Sequence, residues 1–208
     1  INMGMQFDIK ANLLNKKIMI KKICIKLLGL HNVLNASAAI AIGLLLNIEI
    51  KKIKKSLLNF TGVQRRLTLV YKNKNNLIFD DYAHHPTEIK AVLQACRNNF
   101  KSKKIIAIFQ PHRFSRIQSL YKEFIKAFDV ADQVLVCPVY TAGEKNKNFN
   151  FKKFCKDIIS ESKTEVVEIN HKEQIKQFLK KNLFNHEVVI AMGAGSISNW
   201  IRDIAKKL

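Results

Sequence analysis

Residues 77–96, LIFDDYAHHPTEIKAVLQAC, decide the fold. The stretch opens with a short apolar run, passes through a polar loop and reaches Pro86, a residue type favoured at the first position of a helix. Beyond the proline, apolar residues recur at the helical positions i, i+3, i+4 and i+7: Ile89, Val92, Leu93 and Cys96. The stretch therefore predicts a buried strand that leads into an amphipathic helix.

The same strand-then-helix pattern recurs along the rest of the chain. Apolar runs rich in β-branched residues follow at 105–109 (IIAIF), 133–137 (QVLVC), 165–169 (EVVEI) and 187–192 (EVVIAM). A second amphipathic helix is predicted from the apolar residues Ile117, Leu120, Tyr121, Phe124, Ile125 and Phe128. Continuous apolar strands joined by amphipathic helices are typical of a parallel sheet that is covered on both faces. Residues 62–208 are therefore predicted to form an α/β, Rossmann-like domain with a mostly parallel sheet.

Residues 1–61 show a different pattern. A strand is predicted at 18–28, a small-residue helix that should be buried at 31–47, and a short basic helix near 50–59, with Gly62 as a hinge. One strand and two helices cannot enclose a core of their own, so we expect this part to belong to a larger domain. Because the chain opens on Ile1 and not on methionine, we also expect further sequence upstream.

The chain is strongly basic. Its 208 residues include 36 Lys and Arg against 16 Asp and Glu, for a formal net charge of +20, which raises nucleic acid or an anionic membrane as partners. The lysines are spread along the whole chain, however, and no helix-turn-helix, RNA-binding aromatic motif or zinc finger is present. No apolar run is long enough to span a bilayer. We therefore interpret the charge as general lysine enrichment and predict no specific nucleic-acid partner and no membrane partner.

The cysteines bear on the compartment. Cys24, Cys96, Cys137 and Cys155 lie far apart and form no CxxC pair. Isolated cysteines on apolar segments are usually buried free thiols, and these persist in a reducing environment. The sequence therefore predicts a cytoplasmic protein.

Polar, turn-rich loops follow four of the predicted strands. They contain DDYAHHP, QPHRFSR, CPVYTAGE and MGAGS, and the first three hold all three prolines of the chain. In an open parallel sheet, ligands bind outside the carboxyl ends of the strands. We therefore predict a site at this edge. GAGS lacks the third glycine of GxGxxG, so we interpret it as close packing between helix and strand more readily than as a phosphate cradle.

Arginine is scarce and clustered. Six arginines accompany thirty lysines, and four of the six form the pairs Arg65/Arg66 and Arg113/Arg116. A guanidinium group can bind a carboxylate or phosphate through two parallel hydrogen bonds, whereas lysine is a point charge. In QPHRFSR, we expect His112 and Arg113 to point into the crevice and Arg116 to lie at the start of the next helix. The alternative for each pair is a surface salt bridge or a helix cap.

Histidine and asparagine supply weaker signals. His84 and His85 are adjacent and form a poor metal pair, and we interpret His85 as a helix cap. Asn32 and Asn35 share one helix face and could either cap that helix or bind adenine. We predict no metal site within this sequence.

Taken together, GLHNVLNASAA, GVQRRL, DDYAHHPTE, FQPHRFSR and GAGSI resemble the Mur ligases. DYAHxP is shared with the wider superfamily that includes folylpolyglutamate synthases, whereas QPHRFSR points to the branch that adds L-alanine to UDP-N-acetylmuramate in peptidoglycan precursor synthesis. The resemblance implies a three-domain enzyme that uses ATP and Mg²⁺ to activate a carboxylate as an acyl phosphate, which an amino group then attacks. Residues 1–61 would end the central ATP-binding domain, and residues 62–208 would be the C-terminal domain.

The resemblance also implies residue roles. Asn32 and Asn35 would lie near adenine, and Arg66 would reach the ATP phosphates. The ribose and adenine side would be contacted by Asp81, Tyr82 and His84. The carboxylate of L-alanine would be bound by His112, Arg113 and Arg116.

The phosphate-binding loop GxxxxGK[ST] is absent from this sequence. We therefore expect the chain to be inactive by itself and the Mg²⁺ ligands to lie upstream. Two alternatives stay open: a ligase that recycles murein tripeptide, and a basic, non-catalytic Rossmann module that binds nucleotides or nucleic acid. The sequence does not predict an oligomeric state.

Overall fold

The computed structural model describes residues 4–13, 16–146, 148–184 and 186–208. The residue Ile1, on which the expectation of upstream sequence rests, lies outside them. The chain divides into two compact units, Ile1–Val63 and Gln64–Leu208, whereas the sequence places the boundary between residues 61 and 62. The assignment of the first unit to an ATP-binding domain stays a prediction.

The first unit consists of a β-hairpin and two helices. Strands β1 (Met5–Leu13) and β2 (Lys16–Ile25) pair antiparallel, and helices α1 (Leu30–Leu45) and α2 (Ile50–Asn59) follow. The predicted strand at 18–28 is thus β2 with an earlier start and end, and β1 was not predicted. The core of this unit is small: Ile20, Ile23, Ile40 and Ile53.

The expectation that α1 is buried is wrong for this unit. Only Ala36, Ile40 and Gly43 of the helix are buried. Leu30, Leu34 and Ile42 are 69%, 62% and 59% exposed, because a two-stranded hairpin and one short helix cover a single side of α1. The unit therefore presents an apolar helix face.

The second unit is built on a six-stranded sheet with the order β3-β4-β8-β5-β6-β7. Its strands are β3 (Thr68–Lys72), β4 (Leu77–Asp81), β5 (Lys104–Phe109), β6 (Gln133–Val136), β7 (Glu165–Glu168) and β8 (Glu187–Met192). All neighbouring pairs are parallel except β3 with β4. The predicted mostly parallel α/β fold is confirmed, and β3 is an antiparallel edge strand that was not predicted.

Helices cover both faces of this sheet. They are α3 (Pro86–Asn99), α4 (Phe114–Ser119), α5 (Tyr121–Phe124), α6 (Phe151–Ser162), α7 (Lys172–Asn182) and α8 (Ile197–Ala205). One aliphatic core includes Ile78, Ile106, Ile108 and Val189 together with residues of α7 and α8. Side chains alternate along a strand, so Phe109 points to the opposite face, where its ring lies 5.8 Å from Phe124 and 5.3 Å from Phe128.

The single helix predicted around residues 117–128 is interrupted. It ends at Ser119 and restarts as α5 at Tyr121, because Leu120 has φ −119° and leaves the helical region. The buried residues of the pattern, such as Ile117, Phe124 and Phe128, still face the core. No helix within the described residues combines the length and hydropathy needed to cross a bilayer.

The four cysteines are free. Cys96, Cys137 and Cys155 are buried, and burial raises the pKa of each thiol to about 12. Cys24 is only partly buried. Buried thiols with raised pKa values are poor nucleophiles, so these three residues serve packing.

An ion pair between a buried carboxylate and a partly exposed guanidinium fixes α8 against β4. Asp80 is fully buried, and its Oδ2 accepts hydrogen bonds from Ser198 Oγ (2.7 Å) and Arg202 Nε (2.9 Å). Arg202 Nη2 lies 2.8 Å from the same oxygen. The carboxylate therefore has its charge balanced by one guanidinium within a largely apolar core.

Arg202→Met is expected to lower the free energy of unfolding by about 3 kcal/mol, because removing one partner leaves the Asp80 charge buried without its counter-ion. Urea denaturation at pH 7 measures the change. Lys206→Met, on the exposed side of the same segment, is the control and should change stability by less than about 0.5 kcal/mol. Equal effects of the two variants would contradict a stabilising role for the pair.

Candidate anion-binding site

Asp81 anchors the first loop of the carboxyl edge. It is 2% exposed, and its Oδ2 accepts a hydrogen bond from Leu67 N (2.7 Å) while its Oδ1 accepts one from Ala83 N (2.8 Å). The carboxylate thus fixes the turn before β3 to the loop after β4. Its predicted contact with ribose stays a prediction, and in this structure both oxygens already accept backbone amides.

His84 is held in one tautomer by the same loop. Its Nδ1 lies 2.9 Å from Tyr82 O. A carbonyl only accepts hydrogen bonds, so Nδ1 carries a proton. His85 is the N-cap of α3 and accepts from Thr87 N, while Glu88 accepts from the backbone amides of both histidines. The predicted capping role of His85 is therefore confirmed.

The two arginines of the RR pair have different environments. Arg65 donates to Gly193 O (2.6 Å), and its guanidinium lies 4.6 Å from the centre of the Tyr82 ring. Arg66 is 5.9 Å from that ring, is half exposed, and lies 3.8 Å from the Glu88 carboxylate. Arg65 therefore ties two loops together, whereas the Arg66 guanidinium stays accessible to an anion.

Gln110 connects the loop after β5 with the start of α8. The side chain is buried; its Nε2 donates to Ser196 Oγ (3.0 Å), and its Oε1 accepts from Ile197 N (2.9 Å). A Cβ atom at Gly195 would lie 2.6 Å from this oxygen and 2.5 Å from Tyr140 Cγ. The glycine is thus needed for close approach, which supports the packing interpretation of GAGS.

His112 and Arg116 form a direct pair. Arg116 Nη1 lies 3.1 Å from His112 Nδ1. Because arginine can only donate, His112 Nδ1 accepts and the ring proton is on Nε2. Burial lowers the pKa of His112, and the nearby charges of Arg116, His84 and Arg113 lower it further. The ring is therefore a neutral hydrogen-bond donor beside two guanidinium groups.

Two residues of the loop after β6 complete this cluster, and neither was among the predicted site residues. Tyr140 stacks on His112, with ring centres 5.3 Å apart and planes 17° apart, and its carbonyl accepts from Arg113 N (2.9 Å). Glu144 accepts hydrogen bonds from Ser115 N and Oγ. CPVYTAGE was recognised only as an edge loop; the partners of these side chains lie too far away in the sequence to be inferred from spacing.

The structure thus brings together most of the predicted residues of the second unit. The rings of Tyr82 and His84 are 5.1 Å apart, and those of His84 and His112 are 6.0 Å apart. Asn32 and Asn35 belong to the first unit. Asn32 donates to Leu28 O (2.8 Å) within α1 and its preceding turn, and Asn35 is exposed.

No group of three His, Cys, Asp or Glu side chains within the described ranges could hold a metal ion. The charged side chains of the site are instead dominated by arginine, with the carboxylates of Glu88 and Glu144 bound to helix starts. Chemically, this edge is suited to a small anion that accepts several hydrogen bonds.

The sequence of the second unit matches a known protein family. Residues 65–195 match the family described as Mur ligase, glutamate ligase domain. The chain belongs to the Mur ligase family. The predicted resemblance is thereby confirmed, and the matched segment includes every predicted site residue except Asn32 and Asn35.

The relatives name one branch of the family. The chain is 45% identical over 201 residues to the UDP-N-acetylmuramate–L-alanine ligase of Pelagibacter ubique, which covers 96% of this chain and 43% of the relative. It is 43% identical over 181 residues to the enzyme of the same name from Sulfurihydrogenibium, covering 86% and 39%. The chain therefore spans less than half the length of these relatives.

Solved structures support the fold. A UDP-N-acetylmuramate-alanine ligase from Thermotoga maritima matches with a TM-score of 0.77 and 27% identity, over 99% of this chain and 43% of that one. A murein peptide ligase from Psychrobacter arcticus matches with a TM-score of 0.63 over 91% of this chain and 38% of that one. The second match is only 20% identical and supports the fold alone.

The pairing of His112 with Arg116 predicts a specific titration. His112 should remain neutral, with its proton on Nε2, to a pH below its ordinary value of 6.5. Arg116→Gln should raise the pKa of His112, because one cationic neighbour is lost, yet leave it below 6.5 because the ring stays buried. Long-range ¹H–¹⁵N correlation spectra report both the tautomer and the pKa.

The lowered pKa of His112 determines how the stability of the folded chain changes with pH. The unfolded chain binds a proton to this ring at a higher pH than the folded chain does, so stability is lost as the pH falls through 6.5 towards the folded-state pKa. A His112 that titrates at or above 6.5 would contradict the assignment.

Proposed function

We propose that this chain is the C-terminal part of an ATP-dependent ligase that adds L-alanine to UDP-N-acetylmuramate in peptidoglycan precursor synthesis. Residues 1–61 are the end of its central ATP-binding domain, and residues 62–208 are its C-terminal domain. The observation that carries the proposal is the His112–Arg116 pair, with Arg113 beside it, at the carboxyl edge of the sheet. The names of the relatives supply the substrates.

The pair suits the carboxylate of an amino acid. A neutral His112 offers its Nε2–H, and Arg113 and Arg116 offer two guanidinium groups. Planar guanidinium groups match the two oxygens of a carboxylate, whereas a lysine would provide charge without a fixed direction. Holding the acceptor in one orientation is how such a site raises the rate of amide formation, because positioning lowers the entropic part of the barrier.

ATP would be bound on the neighbouring side of the site. Arg66 is the accessible guanidinium for the phosphates, and Tyr82 and His84 are the candidates for the adenine and ribose side. The role of Asn32 and Asn35 near adenine stays a prediction. Asp81 would contribute mainly by holding the loop, given its two backbone partners. When bound, ATP with Mg²⁺ would supply the phosphoryl group that activates the sugar-linked carboxylate, and the Mg²⁺ ligands are expected in the part of the ligase that precedes these residues.

The purified chain should show no ATP-dependent ligation by itself, because it lacks the phosphate-binding loop. Joined to the remaining part of the Pelagibacter relative, of which the match covers 43%, it should release ADP only when both UDP-N-acetylmuramate and L-alanine are present. A coupled ADP assay measures this. Ligation by the isolated chain, or a joined enzyme that accepts murein tripeptide in place of L-alanine, would contradict the proposal.

In the joined enzyme, Arg116→Lys is expected to raise the KM for L-alanine by about 10-fold to 100-fold, which corresponds to the loss of one strong charge-assisted hydrogen bond. The KM for ATP should change little. Arg97→Lys is the matched control, because Arg97 binds Val130 O and Asp132 and lies outside the cluster. An unchanged KM for L-alanine in Arg116→Lys would rule out the proposed carboxylate contact.

A further inference from the structure

The backbone of Arg113 adopts an unfavourable conformation at the centre of the site. Its φ of 68° and ψ of 130° place a non-glycine residue in the positive-φ region that L side chains rarely adopt. Such a conformation persists only where the surrounding contacts enforce it. The hydrogen bonds made by the residues on either side of Arg113 therefore determine the direction of the chain towards Ser115 and Arg116.

The loop after β6, residues 138–146, supplies these contacts on both sides. Before and at the strained residue, Tyr140 N donates to Pro111 O (2.8 Å) and Tyr140 O accepts from Arg113 N (2.9 Å). Beyond it, Glu144 Oε2 accepts from Ser115 N (3.0 Å) and Glu144 Oε1 accepts from Ser115 Oγ (2.6 Å). The loop after β6 thus forms hydrogen bonds with the residues on both sides of Arg113.

Glu144 also caps the start of α4, which no neighbouring side chain in the sequence does. Arg113 occupies the N-cap position of α4 but makes no side-chain cap hydrogen bond. The free amides at a helix start need an acceptor, and the carboxylate from the other loop provides it. The hydrogen bonds from Ser115 lower the pKa of Glu144, and the charge of Arg113 lowers it further, so the group stays ionised near neutral pH.

We propose that Glu144 is the positioning residue of the arginine clamp, defined as Arg113 and Arg116. By fixing Ser115, which stands between the two arginines, it sets the direction of both guanidinium groups. The inference rests on the function proposed above and adds to it a residue that does not touch the substrate. The role depends on the two hydrogen bonds to Ser115 and not on the negative charge.

The first experiment uses this chain and does not depend on any activity. Hydrogen exchange of the Ser115 amide, followed by NMR, should become at least about 10-fold faster in Glu144→Ala, because its acceptor is removed. Glu144→Gln keeps an oxygen that can accept from the amide and should change the rate by less than about 3-fold. Glu161→Ala, an exposed glutamate paired only with Lys126 in the described contacts, is the control and should change nothing.

The second experiment uses the joined ligase. Glu144→Ala should raise the KM for L-alanine by about 10-fold while the KM for ATP changes by less than about 2-fold, since only the clamp is displaced. Glu144→Gln should recover most of the loss. This split between the two substrates, with rescue by the conservative variant, is not expected from general destabilisation.

Several results of these two experiments would overturn the proposed role of Glu144. Unchanged exchange at Ser115 in Glu144→Ala overturns the inference whatever the enzyme does. Faster exchange with an unchanged KM for L-alanine overturns the positioning role, while the Arg116→Lys result still tests the proposed function separately. Glutamine as damaging as alanine would assign the effect to charge and overturn the hydrogen-bond account. A wild-type joined enzyme that does not use L-alanine would overturn the function and this inference together.

Discussion

The second unit depends on the insertion of its last strand between two earlier ones. β8 pairs in parallel with β4 on one side and with β5 on the other, and every residue of Glu187–Met192 is buried. Without β8, the sheet would separate into β3-β4 and β5-β6-β7. The insertion brings the loops that follow β4, β5, β6 and β8 to one edge. Gly193 has φ 149°, and a Cβ atom at this position would lie 2.8 Å from Gln110 O. The missing side chain therefore lets the loops after β8 and β5 pass close to each other.

Three of the six arginines in this lysine-rich chain make hydrogen bonds that connect separate segments of the second unit. Arg97 binds Val130 O, Lys103 O and Asp132, and Arg202 binds Asp80. These two arginines and Arg65 serve the structure. The scarcity of arginine therefore indicates a geometric requirement but does not by itself distinguish a structural partner from a ligand. What distinguishes Arg66 is the structure: its carboxylate partner is 3.8 Å away and its side chain is half exposed.

Much of the fold was predictable because buried parallel strands appear as uninterrupted apolar runs. β4, β5, β6 and β8 were recognised in this way, whereas β7 (EVVE) is a partly exposed edge strand and was recognised from its two adjacent valines. β3 (TLVYK) and β1 (MQFDIKANL) were missed, since edge and hairpin strands mix exposed polar residues with apolar ones and carry a weaker signal. The strand order was not predictable, because the position of β8 is decided by contacts between residues more than 80 positions apart. The break at Leu120 also lacks a glycine or proline to announce it.

The candidate site residues could be named from the sequence only where their contacts are local. His112 and Arg116 are four residues apart, and the start of α4 directly after His112 and Arg113 brings the two side chains together. Glu144 lies 29 residues from Ser115, and Gln110 lies 87 from Ile197, so neither pairing has a local signature. The candidate binding residues could be proposed from motifs, whereas the residues that contact them from distant loops required the structure.

Two glutamates accept hydrogen bonds from helix starts at the arginine-rich edge of the sheet. Glu88 caps α3 through the amides of His84 and His85 and lies beside Arg66. Glu144 caps the start of α4 at Ser115, and its charge interacts with that of Arg113. Each carboxylate thus fixes the start of a helix and offsets the charge of one accessible guanidinium. An incoming anion would therefore meet arginines that already have an internal carboxylate beside them. Binding would replace or share a partner that is present, so selectivity would arise from geometry and not from the +20 charge of the chain.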